Sequence, residues 1–189
     1  MATRIPIAAV RSLVGATLVA SLIPAAASAQ AASDAAVVAV FTSRIQEYAR
    51  LRARLEEPLP VLDERRGARR ALLTRRYLAS AIRAARPRGT LGAMFAPPVD
   101  RLFRDLISAR LADIDVEGLS GWDQDLGVNI AVHEPVPAWS LLELPALLRE
   151  PLPGVPQGIE YRIVSGALVL WDAHAEIVID ALPAAFVVR

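Results

Sequence analysis

The chain has 189 residues, no cysteine, and 21 basic against 20 acidic side chains, every basic one an arginine. Lack of cysteine excludes disulfides, thiolate nucleophiles and cysteine-ligated metal centres, and lack of lysine excludes Schiff-base chemistry. The near-neutral total conceals a polarity: residues 44–110 carry sixteen arginines against seven acids, and residues 111–189 three against twelve.

Residues 1–29 read as a secretory signal. Arg4 and Arg11 make a basic start, an apolar run follows from Leu13 to Ile23, and Pro24 breaks it. Ala27-Ser28-Ala29 supplies the small-x-small cleavage site, so the mature protein is expected to begin at Gln30. The run is shorter than the roughly 20 residues that cross a bilayer, which favours cleavage over anchoring. No cysteine is present for lipid attachment, and no Arg-Arg pair precedes the run, which points to the general secretion route.

Ser33 or Asp34 is a suitable N-cap for a first helix, whose stripe is Val38, Phe41, Ile45, Tyr48, Leu51 and Leu55. Arg44, Arg50, Arg52 and Arg54 fall mostly off that stripe, and Pro58 and Pro60 end it. Asp63 can cap a second helix running to about Arg86, with Ala68, Leu72, Ala79 and Ile82 inward, and Pro87 and Gly89 stop it. In the next loop Met94 and Phe95 are expected to tuck against the helices. Pro97-Pro98 then opens a third amphipathic helix, with Val99, Leu102, Phe103, Leu106, Ile107, Leu111 and Ile114 as its stripe.

After Gly118 long periodic segments give way to glycines and prolines. Val128 to Val132 suits a short strand, and Leu141 to Arg149 a short helix interrupted by Pro145. The strongest β signal is Ile159 to Val164 and Ala167 to Trp171 around Ser165-Gly166, a two-residue hairpin turn. Counting back from that turn pairs Ile163 with Leu168 and Tyr161 with Leu170 on one face. Arg162, Val164, Val169 and Trp171 take the other. Residues 172–175 suit a second turn, and Ile177-Val178-Ile179 a third strand.

The stretch Leu144-Pro145, Glu160-Tyr161-Arg162-Ile163-Val164, Leu168-Val169-Leu170 with Asp172, and Ile177-Val178-Ile179-Asp180 with Leu182-Pro183 resembles the end of an uncharacterised family of small exported bacterial proteins. The resemblance covers about the last third of the chain. It implies export and the hairpin but no activity, and that family does not usually carry a histidine at the position of His174.

Chemistry-bearing residues are few. Asp172, His174 and Glu176 alternate, so on a continued strand they would share one face and could hold a divalent metal. As a turn they are ordinary solvated polar residues, the simpler reading. His133-Glu134-Pro135 lacks the second histidine of a zinc protease, and Pro135 and Pro137 forbid the helix it needs. Only His174 is left to share a site with His133. Ser120 and Ser165 precede glycines but lie in no nucleophile elbow. Trp122 with Asp123 and Asp125 could form a carbohydrate platform, or a plain polar loop. Asp113, Asp115 and Glu117 lack the spacing of a calcium loop. Arg65, Arg66, Arg69, Arg70, Arg75 and Arg76 cluster on the second helix and could grip an anionic partner. Alternatively they form a solvated face partly paired to the acidic half. No aromatics interleave them for base stacking, so nucleic acid is not expected.

The expectation is one α+β domain over 30–189, with three N-terminal amphipathic helices over about 33–117 and a C-terminal antiparallel β-hairpin or meander in the β-rich part over about 118–189. The expected role is a non-catalytic binding or interaction protein, periplasmic or secreted. Its partner would be a protein or envelope component, with no cofactor and no transmembrane span once the signal is removed. The alternative is a small periplasmic hydrolase or metal-dependent enzyme using His133 or His174 with nearby carboxylates.

Overall fold

The computed structural model describes residues 23–60, 67–112, 114, 122, 124 and 126–186, with side chains from residue 30 onward. The chain divides into two compact units, residues 1–33 and 34–189. Helix α1 spans Ile23–Glu56, so Ser33 and Asp34 lie inside it and do not cap it. Alanine, the best helix former, fills much of 25–36, and Pro24 falls in the first turn, where its missing N–H costs nothing. The expected cleavage residues Ala29 and Gln30 therefore both carry helical backbone.

Within residues 34–189 the architecture is α+β, with helices in the N-terminal half and a four-stranded antiparallel sheet at the C-terminus. Helix α2 covers Ala68–Ala85 and α3 covers Pro97–Leu111, the latter opened by its proline pair. Strand β1 (Leu142–Glu143), the short helix α4 (Ala146–Arg149), and strands β2 (Ile159–Val164), β3 (Ala167–Asp172) and β4 (Ile177–Leu182) follow. The sheet is a meander in the order β1-β2-β3-β4. The hairpin register is the expected one, Ile163 opposite Leu168 and Tyr161 opposite Leu170, with Ser165 and Gly166 at positive φ in the turn.

The two faces of the sheet carry different cores. Ile159, Tyr161, Ile163, Leu168, Leu170, Ile177, Ile179 and Leu182 share a core cluster with Phe41 and Ile45 of α1, Leu78 and Ile82 of α2, and Phe103 and Ile107 of α3. At its centre the rings of Phe41 and Phe95 lie 4.9 and 5.2 Å from that of Phe103. Val164, Val169, Trp171, Val178 and Ala181 occupy the opposite face, covered by Val136 with Val128, Ile130 and Leu141.

Residues 128–132 are therefore not a strand: Val128 and Ile130 pack against this second face instead of joining the ladder. Nor is 141–149 one interrupted helix. Leu142–Glu143 is extended and pairs with Ile163 and Arg162, Leu144 is biased away from helical backbone by the proline that follows it, and Pro145 caps α4. The loop before α3 is pinned by the buried Asp180 carboxylate, which accepts the backbone N–H groups of Gly92 (2.7 Å), Met94 (2.6 Å), Phe95 (3.0 Å) and Ala181 (2.8 Å). Met94 and Phe95 are buried, as expected from their place in the chain.

Candidate functional site

Helix α2 contains five arginines and no acid. Its buried residues are Ala71, Thr74, Leu78, Ala79 and Ile82, so Ala79 and Ile82 face inward as expected, while Ala68 and Leu72 point outward. The reason is that leucines lie on two sides of this helix, and only Leu78 lands against the sheet. The outer face thus presents Leu72 (41 % exposed), Leu73 (45 %) and Tyr77 (66 %) beside Arg69 and Arg76. Leu73 and Tyr77 are one turn apart and so are neighbours on the surface. Of the clustered arginines, Arg75 pairs with Glu176 at 3.2 Å, and farther along the helix Arg83 pairs with Glu134 at 3.3 Å. Arg69, Arg70 and Arg76 form no ion pair among the described residues. Arg65, Arg66 and Asp63 lie outside the described residues.

Asp172, His174 and Glu176 do not share a strand face. Strand β3 ends at Asp172, residues 173–176 turn, and Glu176 has φ 53. The three side chains part company. Asp172 is not a solvated turn residue but is fully buried: Oδ2 accepts the Tyr48 hydroxyl at 2.6 Å, and Oδ1 accepts the N–H groups of His174 (2.9 Å) and Ala175 (3.1 Å). Arg52 of α1, expected off the apolar stripe, is buried too. Its Nη1 stands 3.5 Å from Asp172 Oδ1, and its Nη2 donates to the Gln157 carbonyl at 2.6 Å. His174 Nδ1 lies 2.8 Å from Glu56 Oε1. Beside these groups, a Cβ on Gly158 would fall 2.6 Å from His174 Nε2 and 2.8 Å from Arg52 Nη1, at a φ of +77°. Among the described residues no three histidine or acidic side chains are placed to hold a metal ion.

His133 is buried at φ 65, with its backbone N–H donating to Val178 of β4 at 2.7 Å. The imidazole packs so closely on Gly89 that a Cβ there would sit 2.4 Å from Cε1. Its Nε2 has no hydrogen-bond partner among the described residues. Burial, aided by the guanidiniums of Arg86 and Arg83, holds its pKa down at about 4. Among the described residues no hydrogen bond or ion pair joins His133 to His174. Ser165 Oγ accepts the Leu126 N–H at 3.3 Å, and the Trp122 ring packs edge-on against Phe186. Asp113, Asp115, Glu117, Ser120, Asp123 and Asp125 lie outside the described residues.

Sequence reasoning passed over one feature, a groove of about 430 Å³ lined by Arg44, Glu47, Tyr48, Leu51 and Arg54 of α1, by Arg86, and by Ala93 and Met94. The α1 members recur at helical spacing and Arg86 just follows α2, so the signal was present only as isolated arginines. Among the described residues no helix is long and apolar enough to cross a membrane. No family model, no curated protein and no solved structure matches the chain.

Proposed function

We propose that this chain is an exported, non-catalytic interaction protein that docks on an anionic lipid surface through the outer face of α2. The observation that carries the reading is the composition of that face: Arg69 and Arg76, which form no ion pair among the described residues, around exposed Leu72, Leu73 and Tyr77. Such a face suits the headgroup boundary of a bilayer, where arginines meet lipid phosphates and apolar side chains enter the acyl boundary. An acidic protein would satisfy the arginines but would not require the leucines. Further support comes from the imidazoles, since His133 is neutral and packed and His174 is engaged by Glu56. Neither is set for a shared hydrolytic site.

Two measurements test the proposal. Co-sedimentation with vesicles of phosphatidylglycerol and phosphatidylethanolamine should show binding that falls steeply with salt, and pure zwitterionic vesicles should bind little. Each arginine removed by Arg69→Gln or Arg76→Gln should weaken binding about fivefold, on about 1 kcal/mol per arginine near an anionic surface. Absent or salt-insensitive binding overturns the docking. The intact mass of the protein recovered from the producing cell should correspond to a chain starting at Gln30, and a chain retaining residues 1–29 overturns processed export.

A further inference from the structure

Most buried and half-buried arginines meet a carboxylate: Arg52 meets Asp172, Arg75 meets Glu176, Arg104 meets Asp100, and Arg162 meets Glu160. Arg44 donates to a carbonyl instead, and Arg86 departs furthest from that pattern. It is partly buried, its Cζ lies 5.2 Å from the centre of the Tyr48 ring, and its Nη1 is buried without a hydrogen-bond partner. No carboxylate pairs with it among the described residues. A charged donor removed from water needs an acceptor, and none of its neighbours provides one to Nη1.

Arg86 lines the groove on α1, and the rest of that groove has the same bias. Arg44 and Arg54 line it as well, and Arg44 Nη1 donates only to the Ala93 carbonyl, at 3.1 Å. The one acid on its wall, Glu47, forms no ion pair among the described residues, so three guanidiniums face one carboxylate. The Tyr48 hydroxyl cannot help, because it is committed to Asp172. Other grooves differ. The one beside Pro97 has Asp100 and Asp105 to balance Arg101 and Arg104, and the one beside Pro156 has Arg50 as its sole charge.

We propose that this groove is a binding site for the carboxylate or phosphate group of a small molecule. Arg86, whose Cζ lies over the Tyr48 ring, is the central donor, and Arg54 and Arg44 add charge at the rim. A planar guanidinium over an aromatic face is suited to paired hydrogen bonds with an oxyanion, and the volume falls in the range of small-ligand sites. Leu51 and Met94 give the groove an apolar wall for the remainder of the ligand. This site is independent of the outer face of α2, and either can fail without the other.

The test is isothermal titration of the whole protein with inorganic phosphate and, separately, with hexanoate, in chloride buffer. At least one should saturate at one site per chain, and which of them binds more tightly separates phosphate esters from organic acids as the ligand source. Arg86→Met should raise Kd more than tenfold. Arg54→Gln, at an exposed position that leaves the Tyr48 contact intact, should raise it severalfold even if Arg86→Met folds poorly. Arg69→Gln with Arg76→Gln should leave Kd unchanged. Failure of both titrants to saturate overturns the proposal, as does an unchanged Kd in Arg54→Gln. Equal weakening by the α2 variants would reduce the binding to general charge attraction and overturn it too.

Discussion

The Tyr48 hydroxyl donates to Asp172 Oδ2 at 2.6 Å, joining the middle of α1 to the last residue of β3 across 124 positions of sequence. Both groups are buried, and the bond is one of several that the Asp172 carboxylate accepts. Burial first, then the negative charge of Asp172 and the bond to it, push the Tyr48 phenol far above its ordinary pKa, so it remains a donor at any working pH. Helix and sheet are thus locked by a polar contact set inside an apolar interface.

Tyr48→Phe keeps the ring under Arg86 but leaves Asp172 Oδ2 without its donor. A buried acceptor stripped of its partner costs about 1–3 kcal/mol. Urea unfolding followed by circular dichroism should show that loss as a lower midpoint with an unchanged slope. An unchanged midpoint would mean that the hydroxyl contributes nothing to holding α1 on the sheet.

Asp180→Asn should be costlier than its small change in shape suggests. The carboxylate accepts four backbone N–H groups, two of them, from Met94 and Phe95, on Oδ2. Burial raises the Asp180 pKa while those four donors act to lower it. An amide supplies only one oxygen, and its NH₂ must face N–H groups on the other side. The expected destabilisation is about 3–6 kcal/mol, counting two lost charge-assisted bonds at about 1.5–3 kcal/mol each. It should be accompanied by faster hydrogen exchange at Gly92, Met94 and Phe95, and exchange that stays slow there would contradict the pinning of this loop.

Acid should weaken the fold through His133. Its pKa is about 4 when folded, against the ordinary 6.5, so between those values the unfolded chain binds the extra proton. Stability from keeping this imidazole neutral is fully present above pH 6.5 and is lost as pH falls from 6.5 to 4. The shift corresponds to a loss on the order of 3 kcal/mol across that window. His133→Asn removes the titrating group and tolerates the positive φ, so its stability should vary less between pH 6.5 and 4. Equal acid sensitivity in both proteins, measured by thermal unfolding across that window, would assign the effect to other groups.

Local chemistry made some of this fold legible. The Ser165-Gly166 turn and the alternation around it set the register of β2 on β3, because the side-chain period of a strand is two and a slip of one residue would turn Tyr161 and Leu170 away from the helices. Pro97-Pro98 marked the start of α3 for an equally local reason. The inward face of α2 was not legible in the same way, since leucines on two sides of that helix permit two orientations. Residues 128–132 carry the alternation of a strand, but whether such a segment pairs or merely covers a sheet depends on what lies beside it.

By itself, then, the sequence determined the α+β class, the hairpin and its register, and the concentration of arginine in the helical half, because each follows from composition or from residues a few positions apart. Tertiary structure alone decided that Arg52 and Asp172 are buried together, that His133 packs on Gly89 while His174 meets Glu56, and that Arg86 lies over Tyr48 with no carboxylate paired to it among the described residues. Those outcomes depend on which distant charges the packing brings within a few ångströms, and no local pattern encodes that.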